Sequence, residues 1–283
     1  MGFYSLKKLF RVFSKYKRKK SSHKGENGKS LVIGGSKFFS GAPALAAVSA
    51  LRVGVDLSCV VSLEKPGWVI SKYSPDIVVH KLSGSNWSYS HVSKLLTLSK
   101  NFDAVLIGNG LGSGKGVKAL VSNFVSKCSL PLVIDADALR FCKNFVFKQR
   151  PVLTPHLHEF FELSGFDLSK KTLKEKVFVV KKYAFVHNCV VLLKGKFDVV
   201  SDGCRVFVNK TGCSAMTKAG TGDVLAGLCL GLLALDFEPF ESACFGAYVN
   251  GKAGESLFKL KGYSFFASEL AEQVGLELKK FFC

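Results

Sequence analysis

Short runs of aliphatic and β-branched residues alternate with longer helical stretches along the chain after residue 29. Several of these runs are apolar at every position, as expected for strands that helices cover on both faces. This alternation is typical of βαβ units and predicts an α/β fold with a mainly parallel sheet. We predict strands at residues 31–35, 55–63, 77–80, 104–108, 132–135, 152–154, 190–194, 197–201 and 205–208.

The pattern changes after the seventh of these strands. Asp202-Gly203 separates the last two runs and is a strong hairpin signal, so we expect antiparallel strands there. A polar, Gly-rich segment (209–222) follows, and residues 224–235 are then apolar on all sides, which indicates a buried helix. Because no repeat or low-complexity linker divides the chain, we predict one domain.

The composition is that of a folded globular protein, with 283 residues of which 48% are hydrophobic. The nine cysteines include no C-x-x-C pair and lie mostly in apolar runs, so we interpret them as reduced core residues of a cytoplasmic protein. No uninterrupted apolar run reaches the roughly 20 residues that a membrane span requires. We therefore expect a soluble protein that does not enter a membrane.

The net charge of +19 is concentrated at the N-terminus, because the first acidic residue is Glu26. We define residues 1–21 as the basic N-terminal leader and consider three interpretations. It is a solvated basic helix, a segment attracted to RNA or an anionic surface, or an organellar presequence. We favour the first and expect no nucleic-acid partner, because no base-reading motif is present. The apolar residues expected to pack this helix are Phe3, Leu6, Phe10 and Phe13.

The strongest chemical signal is Gly220-Thr221-Gly222-Asp223, which leads into the predicted buried helix. Glycines let a ligand approach the backbone, and the free N–H groups and dipole of a helix N-terminus attract phosphate. The same dipole should keep the Asp223 carboxylate ionised, so that it can take a proton from an attacking hydroxyl. The alternative is that Asp223 only caps the helix and that the glycines only form a turn.

Three other turns follow predicted strands. The turn at 34–43 lacks G-x-G-x-x-G, and Asp56 begins the next strand, so a Rossmann site is disfavoured. The segments 108–112 and 135–139 lie at carboxyl ends of strands, where open α/β sheets bind ligands. The acidic residues Asp135 and Asp137 either cap a helix or contact substrate or hydrated Mg²⁺.

The segment Thr154-Pro155-His156-Leu157-His158-Glu159 contains two histidines and a carboxylate after a strand. Zinc is disfavoured because the histidines are only two residues apart and no H-E-x-x-H motif or cysteine partner exists. A neutral His156 that contacts substrate is the preferred interpretation, and a structural histidine is the alternative. No direct protein ligand to a metal is predicted.

Taken in order, these segments resemble the ADP- or ATP-dependent NAD(P)H-hydrate dehydratases, which belong to the ribokinase-like superfamily. The Gly-Thr-Gly-Asp element is shared with kinases of that superfamily, whereas His23-Lys24-Gly25 followed by Thr154-Pro155-His156 is specific for the dehydratases. The matching segments are residues 22–29, Ser40-Gly41-Ala42, Gly108-Asn109-Gly110-Leu111-Gly112, Asp135-Ala136-Asp137-Ala138-Leu139, Thr154-Pro155-His156 with Glu159, and residues 209–227.

The resemblance implies a ribokinase-like three-layer sandwich over residues 22–283, with a central mostly parallel sheet and helices on both faces. It implies that ADP, with Mg²⁺, phosphorylates the ring hydroxyl of the S-epimer of hydrated NADH or NADPH. Loss of phosphate then restores NAD(P)H and leaves AMP and phosphate, and ADP is preferred here over ATP as the donor. A homotetramer and a separate epimerase protein are further expectations.

The resemblance also assigns roles to individual residues. Asp223 would deprotonate the hydroxyl, and the amides of Gly220, Thr221 and Gly222 would surround the transferring phosphoryl group. The hydrated substrate would contact Ala42, Gly110, His156 and Asp223. The nucleotide would be held by Lys194, Gly195, Lys196, Phe197, Asp198 and Gly222.

The chain departs from the family pattern at four places. Asn109 stands where Pro is usual, Leu157-His158 where Pro-Gly is usual, and Ala219 where Gly is common. Asp198 stands where Thr is usual, and a carboxylate there is expected to weaken nucleotide binding.

Two other functions remain open from the sequence. A small-molecule kinase of the hydroxymethylpyrimidine or sugar kinase type would release a stable phosphorylated product. A non-catalytic nucleotide- or RNA-binding protein would use the basic leader, although the intact Asp223 argues against this alternative.

Overall fold

The computed structural model describes residues 3–14 and 16–282, and its centre is one sheet with the strand order β3-β2-β1-β4-β5-β6-β7-β8-β9. Every predicted strand is present, with ends within two residues of the predicted ones. The strands are β1 Lys29–Ile33, β2 Leu57–Leu63, β3 Val78–Leu82, β4 Ala104–Ile107, β5 Leu132–Ile134, β6 Val152–Leu153, β7 Val190–Leu193, β8 Asp198–Ser201 and β9 Val206–Asn209.

Strands β1 to β7 are parallel, and β8 and β9 are added antiparallel to β7 and to each other. Asp202-Gly203 lies in the connection between β8 and β9, and Gly203 has φ +91°, so the predicted hairpin is confirmed. The parallel strands place all their carboxyl ends at one edge of the sheet, which we call the carboxyl edge.

Helices cover both faces of the sheet, as the resemblance implied. Successive residues of each central strand point into opposite helical layers, so that Val32 and Leu106 join one core and Leu31 and Val105 the other. The helices are α1 Leu6–Phe13, α2 Gly41–Val53, α3 Glu64–Tyr73, α4 Val92–Ser99, α5 Lys115–Lys127, α6 Leu157–Ser164, α7 Leu173–His187, α8 Thr221–Ala234, α9 Pro239–Lys261 and α10 Ala267–Phe282.

Helix α8 is the buried helix that the sequence predicted. Its side chains are buried on every face from Val224 to Ala234, and it packs tightly against α2. The close approach depends on glycine, because a Cβ at Gly227 would lie 2.2 Å from the backbone oxygen of Ala46. This packing holds the N-terminus of α8 rigidly at the carboxyl edge.

The basic leader contributes to the core of the domain. In α1, Leu9 and Phe13 are completely buried, and the Phe13 ring lies 3.6 Å from the ring of Phe245, measured between centroids. Phe3 and Leu6, which were expected to pack this helix, are largely exposed instead. Residues four apart lie on the same face of a helix, and the face of α1 that packs against the domain carries positions 9 and 13.

None of the helices within the described ranges is long and apolar enough to cross a membrane. The eight cysteines at positions 59, 128, 142, 189, 204, 213, 229 and 244 carry free thiols, and burial raises the pKa of the core thiols Cys59 and Cys142. A raised thiol pKa makes these side chains poor nucleophiles, in keeping with their interpretation as reduced core residues.

Candidate active site

Polar side chains from four loops and one helix meet at the carboxyl edge. Asn109 follows β4, Asp135 follows β5, Thr154 follows β6 and Lys194 follows β7, while Asp223 comes from the first turn of α8. Their strands are neighbours in the sheet, so residues far apart in sequence are brought together by strand order alone.

The turn before α8 has the backbone that the glycines were expected to allow. Gly220 is the N-cap with φ +94°, and a Cβ there would lie 2.7 Å from Cβ of Ala267. Thr221 Oγ1 donates to the backbone oxygens of Met216 and Lys218 at 2.8 and 3.0 Å and closes the turn. The first-turn amides of α8 therefore face the carboxyl edge in a fixed geometry.

Asp223 is not the helix cap that the alternative interpretation required. The cap is Gly220, and Asp223 lies in the first turn of α8 with no capping hydrogen bond. Its Oδ1 instead accepts a hydrogen bond of 2.6 Å from Nδ2 of Asn109, and the same nitrogen donates to Asp135 Oδ2 at 2.9 Å. Asn109 thus bridges two carboxylates.

Asp135 is the buried anchor of the site, with 2% of its surface exposed. Its Oδ1 accepts hydrogen bonds from Thr154 Oγ1 at 2.7 Å and from Lys194 Nζ at 3.2 Å. Lys194 Nζ also lies 3.7 Å from Glu159 Oε2, and a Cβ at Gly222 would lie 3.3 Å from that nitrogen. The structure therefore brings together Lys194 and Gly222, both predicted to hold the nucleotide.

The charge states follow from burial and from these neighbours. Burial and the negative charge of Asp135 raise the pKa of Asp223 to about 6, although Asn109 and Lys194 act in the opposite direction. Burial disfavours the charged form of Lys194, but the carboxylates of Asp135 and Glu159 outweigh it and raise the pKa of Lys194. At neutral pH the site holds an ionised Asp223 beside an ammonium group.

The helix dipole is therefore only one of the influences on the pKa of Asp223. A helix dipole alone would hold the pKa below its usual value, whereas burial against a second carboxylate raises it. A pKa near neutrality suits a general base better than a strongly lowered one, because the group accepts a proton more readily.

The predicted substrate residues Ala42, Gly110 and His156 follow β1, β4 and β6 at the carboxyl edge. Ala42 is in the first turn of α2, and Gly110 follows β4 with φ +70°. A Cβ at Gly110 would lie 2.7 Å from Cβ of Phe39, whose side chain is 55% exposed, so only glycine fits beneath this loop. Phe39 was not singled out from the sequence, because an exposed aromatic in a loop carries no periodic signal.

His156 has a structural role. It caps α6: its Nδ1 accepts from the backbone N–H groups of His158 and Glu159, each at 3.2 Å, and Glu159 Oε2 accepts from the His156 backbone N–H at 2.8 Å. Burial lowers the pKa of His156, so the ring is neutral at pH 7. Its side chain remains half exposed, and no group of three or more His, Cys, Asp or Glu side chains suited to a metal is found among the described residues.

Asp198 is held within the fold. Its Oδ1 accepts from the Gly195 backbone N–H and its Oδ2 from Asn209 Nδ2, each at 3.0 Å, and burial raises its pKa to about 6. The carboxylate therefore shapes the turn from Lys194 to Asp198. Lys196 and Phe197 are exposed at its tip, with the Lys196 ammonium 5.8 Å from the Phe197 ring.

Other motif residues make contacts that connect loops of the fold. Asp137 Oδ2 accepts from the Gly112 backbone N–H at 2.8 Å and links two loops of the carboxyl edge. The segment containing His23-Lys24-Gly25 precedes β1 at the opposite edge, where the Asp56 carboxylate accepts from the N–H groups of Gly25 and Asn27 at 2.8 and 3.0 Å. Arg18 also pairs with Asp56.

The strand order and the helices on both faces of the sheet define a ribokinase-like fold, with the candidate site at the carboxyl edge. A ribokinase-like superfamily protein from Enterococcus faecalis superposes with a TM-score of 0.82 at 23% identity, covering 96% of this chain and 95% of the other. The chain belongs to the NAD(P)H-hydrate dehydratase family, whose model matches residues 30–275.

Individual proteins named as NAD(P)H-hydrate dehydratases are similar to the chain over almost its full length. The ADP-dependent (S)-NAD(P)H-hydrate dehydratase of Cenarchaeum symbiosum is 36% identical over 270 residues, which are 93% of each chain. The ADP/ATP-dependent NAD(P)H-hydrate dehydratase from Bacillus subtilis, co-crystallized with ATP/Mg²⁺, has a TM-score of 0.84 at 27% identity and covers 99% of this chain and 98% of its own.

The bifunctional NAD(P)H-hydrate repair enzyme Nnr of Methanocaldococcus jannaschii is 41% identical over 268 residues, which are 94% of this chain and 51% of the relative. The chain therefore spans about half the length of such bifunctional relatives.

Proposed function

We propose that this protein is an ADP-dependent (S)-NAD(P)H-hydrate dehydratase, a hydro-lyase that returns hydrated NADH and NADPH to NAD(P)H. The observation that carries the proposal is the Asp223 carboxylate in the first turn of α8, joined through Asn109 to Asp135, which accepts a hydrogen bond from the Lys194 ammonium. Family membership supports the substrate, and the name of the Cenarchaeum symbiosum relative supports ADP as donor and the S-epimer.

In the proposed reaction Asp223 takes the proton of the ring hydroxyl. The O–H bond breaks as the hydroxyl oxygen bonds to the β-phosphorus of ADP, and the bond from that phosphorus to the bridging oxygen breaks, leaving AMP. The first-turn amides at Thr221 and Gly222 and the Lys194 ammonium stabilise the charge on the transferring group. The carbon–oxygen bond to phosphate then breaks, the adjacent ring carbon gives its proton to water, and the electrons of that carbon–hydrogen bond form the ring double bond.

The phosphorylation has a simple chemical purpose. Hydroxide is a poor leaving group and phosphate a good one, so transfer of a phosphoryl group turns a slow dehydration into a fast elimination. This explains how a kinase fold serves a lyase reaction.

The side chains fit a nucleotide-borne Mg²⁺ better than a metal held by the protein. Mg²⁺ prefers phosphate and water ligands with one or two carboxylates, and here the oxygens of Asp135 are already occupied by Asn109, Thr154 and Lys194. When bound with the nucleotide, Mg²⁺ would supply further neutralisation of phosphate charge. We also propose a cytoplasmic homotetramer that receives the S-epimer from a separate epimerase protein, as the family resemblance implies.

The direct test is recovery of reduced nicotinamide. Purified protein is incubated with S-epimeric NADH hydrate, Mg²⁺ and either ADP or ATP, and the absorbance of NADH is followed beside a sample without nucleotide. We expect recovery with ADP, and AMP and phosphate in equal amounts. No recovery with either nucleotide contradicts the proposal, and accumulation of a stable phosphorylated substrate identifies a kinase instead.

A further inference from the structure

Asn109 occupies an unusual position for a buried amide. It is completely buried, and its Nδ2 donates to Asp223 Oδ1 at 2.6 Å and to Asp135 Oδ2 at 2.9 Å. The reverse orientation of the amide would place its oxygen against two carboxylates, so the direction of these bonds is determined by the network. Its own Oδ1 has no hydrogen-bond partner within the described part of the chain.

The two carboxylates that Asn109 joins are not equivalent. Asp135 also accepts from Thr154 and Lys194, so its charge is balanced without Asn109. For Asp223, the bond from Asn109 is the one hydrogen bond to its carboxylate that the described residues make. Asp223 Oδ2 therefore accepts no hydrogen bond from the described residues.

The electrostatic problem at this site is the proximity of like charges. Two carboxylates within one polar pocket tend to share a proton, which raises the pKa of one of them strongly. The charged groups that act on Asp223 are Asp135, Lys194 and Glu159, and of the described side chains only Asn109 donates a hydrogen bond to it.

We infer that Asn109 is a positioning residue: it donates one N–H to each carboxylate, keeps Asp135 and Asp223 from sharing a proton, and leaves Asp223 as the open base. The catalytic part of this inference, that Asn109 serves the base, rests on the proposed function. The hydrogen bond from Asn109 lowers the pKa of Asp223 against the effects of burial and of Asp135, which agrees with this geometry. A buried amide with one unpaired oxygen is also poor for stability, which favours a functional reason for its presence.

The test uses two replacements of similar size, Asn109→Leu and Asn109→Asp, with kcat measured against pH at saturating ADP and NADH hydrate. Asn109→Leu removes both donors, so the acidic limb of the kcat profile should move to higher pH by about one unit, with roughly tenfold lower kcat below it. The KM for ADP should change little. Asn109→Asp adds a third carboxylate and should move the limb further.

A matched control is Thr154→Val, which removes a hydrogen bond from Asp135 alone. Loss of this hydrogen bond makes the ionised form of Asp135 less favourable, so Asp135 repels the charge on Asp223 less. The acidic limb should therefore stay in place or move to lower pH. An unmoved limb in a folded, active Asn109→Leu, or an equal upward movement in Thr154→Val, would overturn the inference.

A second measurement separates this inference from the proposed reaction. Titration of the Asp223 carboxyl by ¹³C NMR, with its signal assigned from an Asp223→Asn sample, needs no substrate. We expect a higher Asp223 pKa in both Asn109 variants; an unchanged pKa overturns the inference even where the wild-type protein shows no turnover. If Asn109→Leu does not fold, the titration of Asn109→Ala decides, because this replacement also removes both donors and adds no charge.

Discussion

Replacing Asp223 with Asn should make the protein more stable while removing its activity. In the folded protein, burial and Asp135 raise the pKa of Asp223 from 3.8 to about 6. At 1.36 kcal/mol for each pH unit, this costs about 3 kcal/mol of the free energy of unfolding at neutral pH, and less where solvent screens the group. Asn removes the charge, and its oxygen can still accept from Asn109.

The gain in stability from Asp223→Asn should depend on pH. Because the folded pKa lies above the unfolded one, the folded state binds the proton more tightly, and the penalty is present above about pH 6 and absent below about pH 4. Asp223→Asn should therefore raise Tm by about 5 °C at pH 7, given the unfolding entropy of a chain of this length. The gain should shrink towards zero as the pH falls from 6 to 4.

The same variant should lose about 10²- to 10⁴-fold in kcat, the usual contribution of a general base. The assays are thermal unfolding across this pH range and recovery of NADH from its hydrate. Asp236→Asn is the charge-matched control, because it follows the other end of α8 with φ +67°, a conformation that Asn tolerates. It should keep activity. A less stable Asp223→Asn at pH 7, or one within tenfold of wild-type activity, would refute the reasoning.

Three further substitutions test the packing and the nucleotide site. Gly227→Ala should lower the free energy of unfolding by about 1–3 kcal/mol, measured in urea, because its Cβ would lie 2.2 Å from the Ala46 backbone oxygen. Phe13→Ala should lower it by about 3–5 kcal/mol with little change in kcat/KM, since a fully buried ring is lost far from the carboxyl edge. Lys194→Met should raise the KM for ADP by about tenfold or more, because it removes the cation beside Gly222.

Each of these has a control in the same chain. Gly275→Ala should be neutral or stabilising, because the nearest atom to its Cβ would be 3.6 Å away and Ala favours a helix. Phe3→Ala, at a side chain 62% exposed, should change stability little. Lys174→Met removes an exposed lysine of α7 and should leave the KM for ADP unchanged. A control as damaging as its partner would contradict the corresponding argument.

The strands and the buried helix were predictable because complete burial requires apolar residues at consecutive positions, which the sequence shows directly. A strand covered on both faces is apolar throughout, and a helix inside the protein is apolar on every side, as β4 and α8 are. The leader shows the limit of this reasoning. Its helix and the packing of Phe13 were expected, but the burial of Leu9 and the exposure of Phe3 and Leu6 depend on which face of α1 meets α9 and α10.

The residues of the site could be predicted from the sequence, but the hydrogen bonds between them could not. Asp223, Gly222 and Lys194 were named from their motifs, and the structure places them beside one another. The bridge from Asn109 to both carboxylates was not anticipated, because no role was assigned to the Asn109 side chain within the segment 108–112.

Neighbouring residues were enough to predict the α/β architecture, the buried helix that begins after Gly220 and Asp223 as the candidate base, because each of these depends on a local pattern. The pKa of Asp223 depends instead on contacts between distant parts of the chain. Asp135, Asn109 and Lys194 follow three different strands, and strand order brings them to Asp223. Burial among those neighbours raises the pKa of Asp223 to about 6, whereas the helix dipole alone predicted the opposite direction.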